Sequence, residues 1–157
     1  MTAGSLRPMN TAFPTLFFED LALGQQASLM RTVMDSDLHL FAEVSGDVNP
    51  IHISDAFAAT TKFGQRIAHG MFTASLVSAL LGTRLPGPGA VYLSQTIQFL
   101  APVRIGDVVT ANVEVVELVP ERRRARLFCE CICDGKAVLE GEAWVAVESR
   151  LRRDARA

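Results

Sequence analysis

The chain has 157 residues, of which 49% are hydrophobic and 20% are charged, and its formal net charge is −2. This length suits one domain with a sizeable core, and the nearly balanced charge gives no reason to expect a nucleic-acid partner. We predict an N-terminal arm over residues 1–14, a single domain over 15–149 and a charged tail over 150–157.

The sequence shows no targeting or membrane segment. Its N-terminal residues lack the continuous apolar stretch of a signal peptide, and no apolar segment is long and uninterrupted enough to span a bilayer. We therefore expect a cytoplasmic protein that does not associate with membranes.

The first predicted elements in chain order are a short strand, for which the sequence signal is weak, and a short helix. Residues 26–33 mix polar and apolar side chains and predict a short strand. Residues 35–37 supply an N-cap and first-turn acids, and the apolar spacing after them predicts an amphipathic helix over 37–44. Gly46 is expected to end this helix.

A loop is predicted to follow over residues 47–52, because Pro50 disfavours helical geometry at Asn49. Ser54 is then placed to cap a second short helix that runs through Thr61.

The next helix is apolar on nearly every side. It is predicted to begin at Gly70 and to continue to Leu81, and a helix of this composition is expected to be buried on most sides. Gly82 and the Pro-Gly repeat at 86–89 are expected to end it.

The second half of the chain consists of strands. Four runs rich in β-branched residues predict them, at 91–99, 108–118, 124–134 and 137–147. Asp134-Gly135 is a hairpin signal between the last two. Helices followed by antiparallel strands indicate an α+β fold, in which a curved sheet wraps the apolar helix. A homodimer is the economical way to cover the remaining sheet edge and helix face.

Three cysteines, at positions 129, 131 and 133, alternate on one predicted strand. Alternate residues of a strand lie roughly 6.6–6.8 Å apart, which is unfavourable for a disulfide, and a flat row does not surround a metal tetrahedrally. We interpret these cysteines as reduced, buried core residues.

The segment from Gly46 to His52 contains the candidate catalytic residues. Asp47 and His52 are a carboxylate and an imidazole five residues apart, and a water molecule bound to both can be deprotonated by one while the other relays a proton. Asn49 between them offers a neutral donor and acceptor that can orient the water or the ring.

Gly70 is the second candidate, because it begins the buried helix. An amide at a helix N-terminus can face a developing oxyanion, and the missing Cβ lets a substrate carbonyl approach the backbone. We interpret the neighbouring His69 as a residue that fixes the loop. The sequence shows no nucleophile elbow, phosphate-binding loop or metal-ligand spacing.

These residues resemble a known family. The segments Gly46-Asp47-Val48-Asn49-Pro50-Ile51-His52 and Ile67-Ala68-His69-Gly70-Met71 resemble the hydratase-2 motif of the MaoC-like (R)-specific enoyl-CoA hydratases. The resemblance covers about residues 17–147 and extends to Phe63, residues 92–95, Phe99, Pro102-Val103 and Gly106-Asp107.

The resemblance implies a hot-dog fold, in which a long central helix is wrapped by an antiparallel sheet, and a homodimer or higher homo-oligomer. It also implies reversible hydration of trans-2-enoyl-CoA to (R)-3-hydroxyacyl-CoA. In the family pattern Asp47 and His52 activate water, Asn49 supports them, Gly70 donates to the thioester oxygen and Ser78 lines the acyl site.

Further substrate contacts are expected from the central helix and from nearby cations. Met71 and Ser75 lie on that helix with Ser78, while Lys62, Arg66 and Arg104 are candidates for the CoA phosphates. We expect no metal and no cofactor, since CoA is part of the substrate.

Three alternatives stay open. The same chemistry on acyl-carrier-protein substrates would make the chain a 3-hydroxyacyl dehydratase of fatty-acid synthesis. A thioesterase of the same fold would release free CoA. A non-catalytic acyl-thioester-binding partner subunit would bind enoyl-CoA without turnover.

Overall fold

The computed structural model describes residues 13–151 and 155. Within them five antiparallel strands form one sheet in the order β1-β3-β4-β5-β2. The strands are β1 (Gln26–Thr32), β2 (Val91–Phe99), β3 (Val108–Val119), β4 (Arg124–Cys133) and β5 (Lys136–Ala146). The helices are α1 (Asp35–Ser45), α2 (Pro50–Ile53), α3 (Asp55–Ala59) and α4 (Gly70–Thr83), and short 3₁₀ turns occupy Phe18–Asp20 and Pro120–Arg122.

Helix α4 packs against the sheet and contacts β1, β2, β3 and β4. Its buried apolar residues join those of the strands in one core, with Leu80 at its centre. An exposed stripe remains along the helix at Met71, Ser75, Ser78 and Gly82. This arrangement is the expected hot-dog fold, a central helix and an antiparallel sheet.

Strand β4 shows the predicted alternation most clearly. Every second residue from Ala125 to Cys133 is buried, and the three cysteines are free thiols on that face. Burial raises the pKa of Cys129 to about 11 and that of Cys131 to about 12, so both thiols are protonated near neutral pH. The interpretation as reduced core residues is confirmed.

Several predicted boundaries are wrong. The helix predicted over 37–44 spans Asp35–Ser45, the helix predicted to run through Thr61 ends at Ala59, and the ends of four strands differ by one residue. The segment 47–52 is not loop throughout, because α2 begins at Pro50. The Asn49 side chain accepts a hydrogen bond from the Ile51 amide at 3.2 Å, and Pro50 at the first helical position needs no N–H partner. Gly82 does not end α4, which continues to Thr83.

The chain just before α4 is fixed by main-chain hydrogen bonds. The Ala68 amide donates to the Val103 carbonyl at 2.7 Å, and the Ile67 amide donates to the Ile51 carbonyl at 3.4 Å. These bonds bring the α2 turn against the first residue of α4, and this contact creates the site described below.

The chain ends lie partly outside the described residues. The predicted arm over 1–14 is described only from Phe13, and most of the predicted tail over 150–157 is not described. Arg150 is described and forms an ion pair with Asp20 at 2.8 Å. None of the helices in the described part combines the length and apolar character needed to cross a bilayer.

Candidate active site

A cavity of about 500 Å³ opens beside the N-terminal end of α4. This volume lies within the range of small-molecule binding sites. Its lining residues form a polar set and an apolar set, which we call its polar side and its apolar side. The polar side contains Asp47, His52, His69 and Gly70, and the apolar side contains Phe63, Ile67, Met71, Phe99, Leu100, Val103 and Val138.

His52 is fixed by a hydrogen bond between its Nδ1 and the Ile67 carbonyl oxygen, 2.7 Å away. A carbonyl oxygen can only accept, so Nδ1 carries the hydrogen and Nε2 of the neutral ring is left as an acceptor. Burial lowers the pKa of His52 below its usual 6.5, which favours this neutral ring. His52 is therefore arranged to accept a hydrogen bond at Nε2 and not, in its resting state, to donate one from it.

Asp47 lies on the exposed stretch before α2 and lines the same cavity. Its Oδ1 accepts a hydrogen bond from the Asn49 amide at 3.2 Å. One carboxylate oxygen of Asp47, one ring nitrogen of His52 and one ring nitrogen of His69 all lie within 4.8 Å of one another. This spacing allows one water molecule to reach both the carboxylate and the His52 ring.

Gly70 is the first residue of α4, so its amide has no partner within the helix. A Cβ at this position would lie 2.7 Å from Cε1 of Phe99, whose ring lines the cavity. Glycine here lets the Phe99 ring pack against the start of α4, and a larger residue would have to displace that ring. The amide and the end of the helix dipole supply a site for a developing negative charge.

Asp47, His52 and His69 are also the residues of this site with metal-ligating atoms. However, the rings of His52 and His69 are stacked, with centroids 3.8 Å apart and planes inclined by 28°. A histidine binds a metal along the plane of its ring, and stacked planes do not point two nitrogens at one ion about 2.0 Å away. The arrangement suits proton transfer better than metal binding.

Five of the predicted site residues, Arg104 among them, are not brought to the cavity lining. Asn49 caps α2 through its side chain, and the Ser75 hydroxyl donates to the Phe72 carbonyl oxygen. Ser78 lies on the exposed stripe of α4. Arg66 pairs with Asp55 and Asp35, each at 2.7 Å, so its charge is already neutralised away from the cavity.

The other predicted contacts do line the cavity. Met71 contributes to its apolar side, and Lys62 is exposed at its margin with Nζ 5.1 Å from the centre of the Phe63 ring. Lys62 is the cation among the lining residues, and its position suits an anionic group of a substrate that extends out of the cavity.

Several residues that line the cavity were not assigned to the site from the sequence. Thr73 lines the cavity one turn after Gly70, and Phe99, Val103 and Val138 reach it from the sheet and its connections. Helical spacing from Gly70 was a usable signal for Thr73. Phe99 and Val103 stand in the segments that extend the family resemblance, whereas Val138 carried no signal, since its position depends on strand pairing.

Comparisons with known proteins agree with this geometry. A family model described as a MaoC-like domain matches residues 21–127. The chain is 59% identical over 139 residues to the 3-hydroxybutyryl-CoA dehydratase of Methylorubrum extorquens, and the match covers 88% of each chain. It is 54% identical to the (R)-specific enoyl-CoA hydratase of Rhodospirillum rubrum, over 85% of this chain and 93% of that one.

A solved structure of R-hydratase PhaJ1 from Pseudomonas aeruginosa, in the unliganded form, superposes with a TM-score of 0.83 at 42% identity. The superposition covers 87% of this chain and 88% of that one. Fold and site together define a hot-dog protein with a carboxylate and an imidazole at the head of its central helix. The chain belongs to the MaoC-like family, as the resemblance of its motifs predicts.

Proposed function

We propose that the protein is an (R)-specific enoyl-CoA hydratase, a hydro-lyase that reversibly adds water to trans-2-enoyl-CoA. The observation that carries this proposal is the convergence of Asp47 and His52 beside the Gly70 amide, which has no partner within α4. The hydratase and dehydratase activities named for the relatives at 54% and 59% identity support it.

The geometry suggests how the water is activated. Asp47 and Nε2 of His52 each accept a hydrogen bond from one water molecule. Asp47 takes a proton from this water while its oxygen forms a bond to Cβ of the enoyl group. His52 holds the second hydrogen and so orients the attacking oxygen.

The same proton completes the reaction. As the C–O bond forms, negative charge accumulates on the thioester oxygen and is stabilised by the Gly70 amide. The protonated Asp47 then delivers its proton to Cα on the face that the water attacked. The net change is addition of H and OH across the double bond, and dehydration follows the same steps in reverse.

The direct test is an assay of the full chain with crotonyl-CoA. We expect loss of the absorbance of the conjugated thioester and formation of (R)-3-hydroxybutyryl-CoA, with one deuterium at C2 when the reaction is run in D₂O. Release of free CoA thiol would instead indicate a thioesterase. Tight binding of the enoyl-CoA without turnover would indicate a binding subunit.

The carrier is tested with the same acyl group on CoA and on acyl carrier protein. We propose CoA, because Lys62 is the cation at the cavity margin and a single exposed charge suits a small anionic group. Faster turnover of the protein-bound substrate would favour the dehydratase of fatty-acid synthesis.

We also propose that no cofactor is needed, so that activity survives dialysis against a chelator.

We propose a homodimer as the assembly. Strand β2 is an edge strand, and it and the residue after it leave large apolar side chains exposed, among them Leu93, Phe99 and Leu100. The exposed stripe of α4 adds Met71. A sedimentation measurement that finds only monomers at micromolar concentration would contradict this proposal.

The cytoplasmic location expected from the sequence stays a prediction.

A further inference from the structure

We infer that His69 is a positioning residue for the hydration, an inference that rests on the proposed function. Its ring links the main chain of Asp47 to the side chain of His52, so that one residue sets the distance between the two groups that share the water. The residue itself neither accepts nor donates the transferred proton.

The first link is a hydrogen bond. Nε2 of His69 lies 2.9 Å from the main-chain carbonyl oxygen of Asp47, across 22 residues of sequence. Since the carbonyl oxygen can only accept, Nε2 carries the hydrogen. This bond holds the exposed stretch that carries Asp47 against the buried start of α4.

The second link is a ring contact. The imidazoles of His69 and His52 stack with centroids 3.8 Å apart, and Phe41 of α1 contacts the His69 ring at 4.9 Å. The Ile67 carbonyl bond fixes one nitrogen of His52 but leaves rotation about that bond open. Stacking on His69 sets the plane of the ring and with it the direction of Nε2.

The burial of His69 raises the question of why this position has an imidazole and not an apolar ring. Its side chain is 2% exposed, and its Nδ1 is buried with no hydrogen-bond partner among the described residues. An unpaired buried nitrogen is unfavourable, and a phenylalanine would avoid it while filling similar space. The imidazole is therefore explained by the one bond that a phenylalanine cannot make, the bond to Asp47.

His69 is also the N-cap residue of α4, directly before Gly70. The residue that sets Asp47 and His52 is thus covalently joined to the amide proposed to bind the thioester oxygen. This connection fixes the water-activating pair relative to the oxyanion site, which matters because a displacement of about 1 Å can cost about 10²-fold in rate.

The test uses two substitutions that separate the links. His69→Phe keeps a ring for the stack and removes the N–H donor, whereas His69→Gln keeps an N–H donor at a similar reach and removes the ring. We expect each folded variant to lose about 10-fold in kcat with little change in KM. The matched controls are His39→Phe and His39→Gln, because His39 is exposed on α1 outside the cavity, and these should leave kcat unchanged.

A second readout separates positioning from general stabilisation. In an Asp47→Asn background, His69→Phe should cause little further loss of kcat, because the group that it positions is already disabled. Full multiplication of the two losses, or an unchanged kcat in both folded single variants, would overturn the inference.

Nitrogen NMR of the three histidine rings supplies a readout that needs no activity. We expect hydrogen on Nε2 of His69 and on Nδ1 of His52 in the unaltered protein. In His69→Gln the His52 tautomer should persist, because the bond to Ile67 remains, while its ring signals shift and broaden because the stacking that sets the ring plane is lost. Hydrogen on Nδ1 of His69 in the unaltered protein would refute the inference even if neither variant folds. If the unaltered protein does not hydrate enoyl-CoA, the proposed function fails, whereas the ring signals still test the link.

Discussion

The two sides of the cavity are built in different ways. The polar side, Asp47, His52, His69 and Gly70, comes from one short span of sequence and is held by bonds to carbonyl oxygens. The apolar side includes Phe99, Val103 and Val138 from distant segments and depends on packing. The reacting geometry is therefore specified mainly by hydrogen bonds, whereas the shape of the acyl pocket depends on how apolar side chains pack.

The largest effect is expected when the carboxylate on the polar side is neutralised. Asp47→Asn keeps an oxygen that can accept from the Asn49 amide, so the fold should persist. Loss of the base should lower kcat for crotonyl-CoA by at least about 10²-fold. Asp55→Asn, at an exposed carboxylate paired with Arg66, is the matched control. Near-normal turnover of folded Asp47→Asn would remove Asp47 from the mechanism.

The next effect concerns the boundary between the two sides, where Gly70 meets Phe99. In Gly70→Ala the new methyl group would displace the Phe99 ring toward the cavity and hinder approach to the amide. We expect a loss of kcat/KM of about 10²-fold, the low end for losing one oxyanion donor.

Gly82→Ala is the control on the same helix, because a Cβ there meets nothing within 4 Å. It should keep full activity and raise the free energy of unfolding by about 0.5–1 kcal/mol, as expected for alanine in place of a helical glycine. Equal activity losses in both variants would indicate that α4 tolerates no added methyl group, and would contradict a special role for Gly70.

A smaller effect is expected on the apolar side. Phe99→Ala enlarges the cavity, so the ratio of kcat/KM for a longer enoyl-CoA to that for crotonyl-CoA should rise about 10-fold. Phe128→Ala is the control, because Phe128 lies on the other face of β4 from the core. An unchanged ratio in Phe99→Ala would show that this ring does not limit the acyl pocket.

The smallest effect is a displaced titration of His52. Burial lowers its pKa, so ring signals should titrate below 6.5 in the folded protein and near 6.5 in urea. Because the unfolded chain then takes up this proton first, the contribution of His52 to stability is present above 6.5 and is lost as the pH falls through the folded pKa. A folded midpoint above 6.5 would contradict a buried neutral ring.

Much of the fold was predictable because hydrophobic patterns are local. The strand over 91–99 was predicted with the bounds of β2, and the buried helix was placed at Gly70. The start of α2 was missed because the effect of Pro50 on its neighbour was weighed without the Asn49 cap, which makes proline favourable at a first helical position.

The site was predictable to the extent that its residues lie close in sequence. Asp47, His52 and Gly70 were identified from the motif and lie at the cavity, but Arg66 was not recognised as a surface ion-pair residue because Asp35 and Asp55 reach it only through folding. The bond from His69 to Asp47 was equally hidden, since it joins residues 22 positions apart.

The reactivity of the buried thiols of β4 reports whether the sheet stays closed. Cys129 and Cys131 lie between β3 and β5 with no exposed surface, and a protonated, enclosed sulfur does not react with a labelling reagent. Alkylation at these positions therefore records how often the sheet opens. The alkylation rate of a cavity variant can be compared with that of the unaltered protein. A variant that loses activity at an unchanged alkylation rate is impaired in its chemistry, whereas one that is alkylated faster has a less stable sheet.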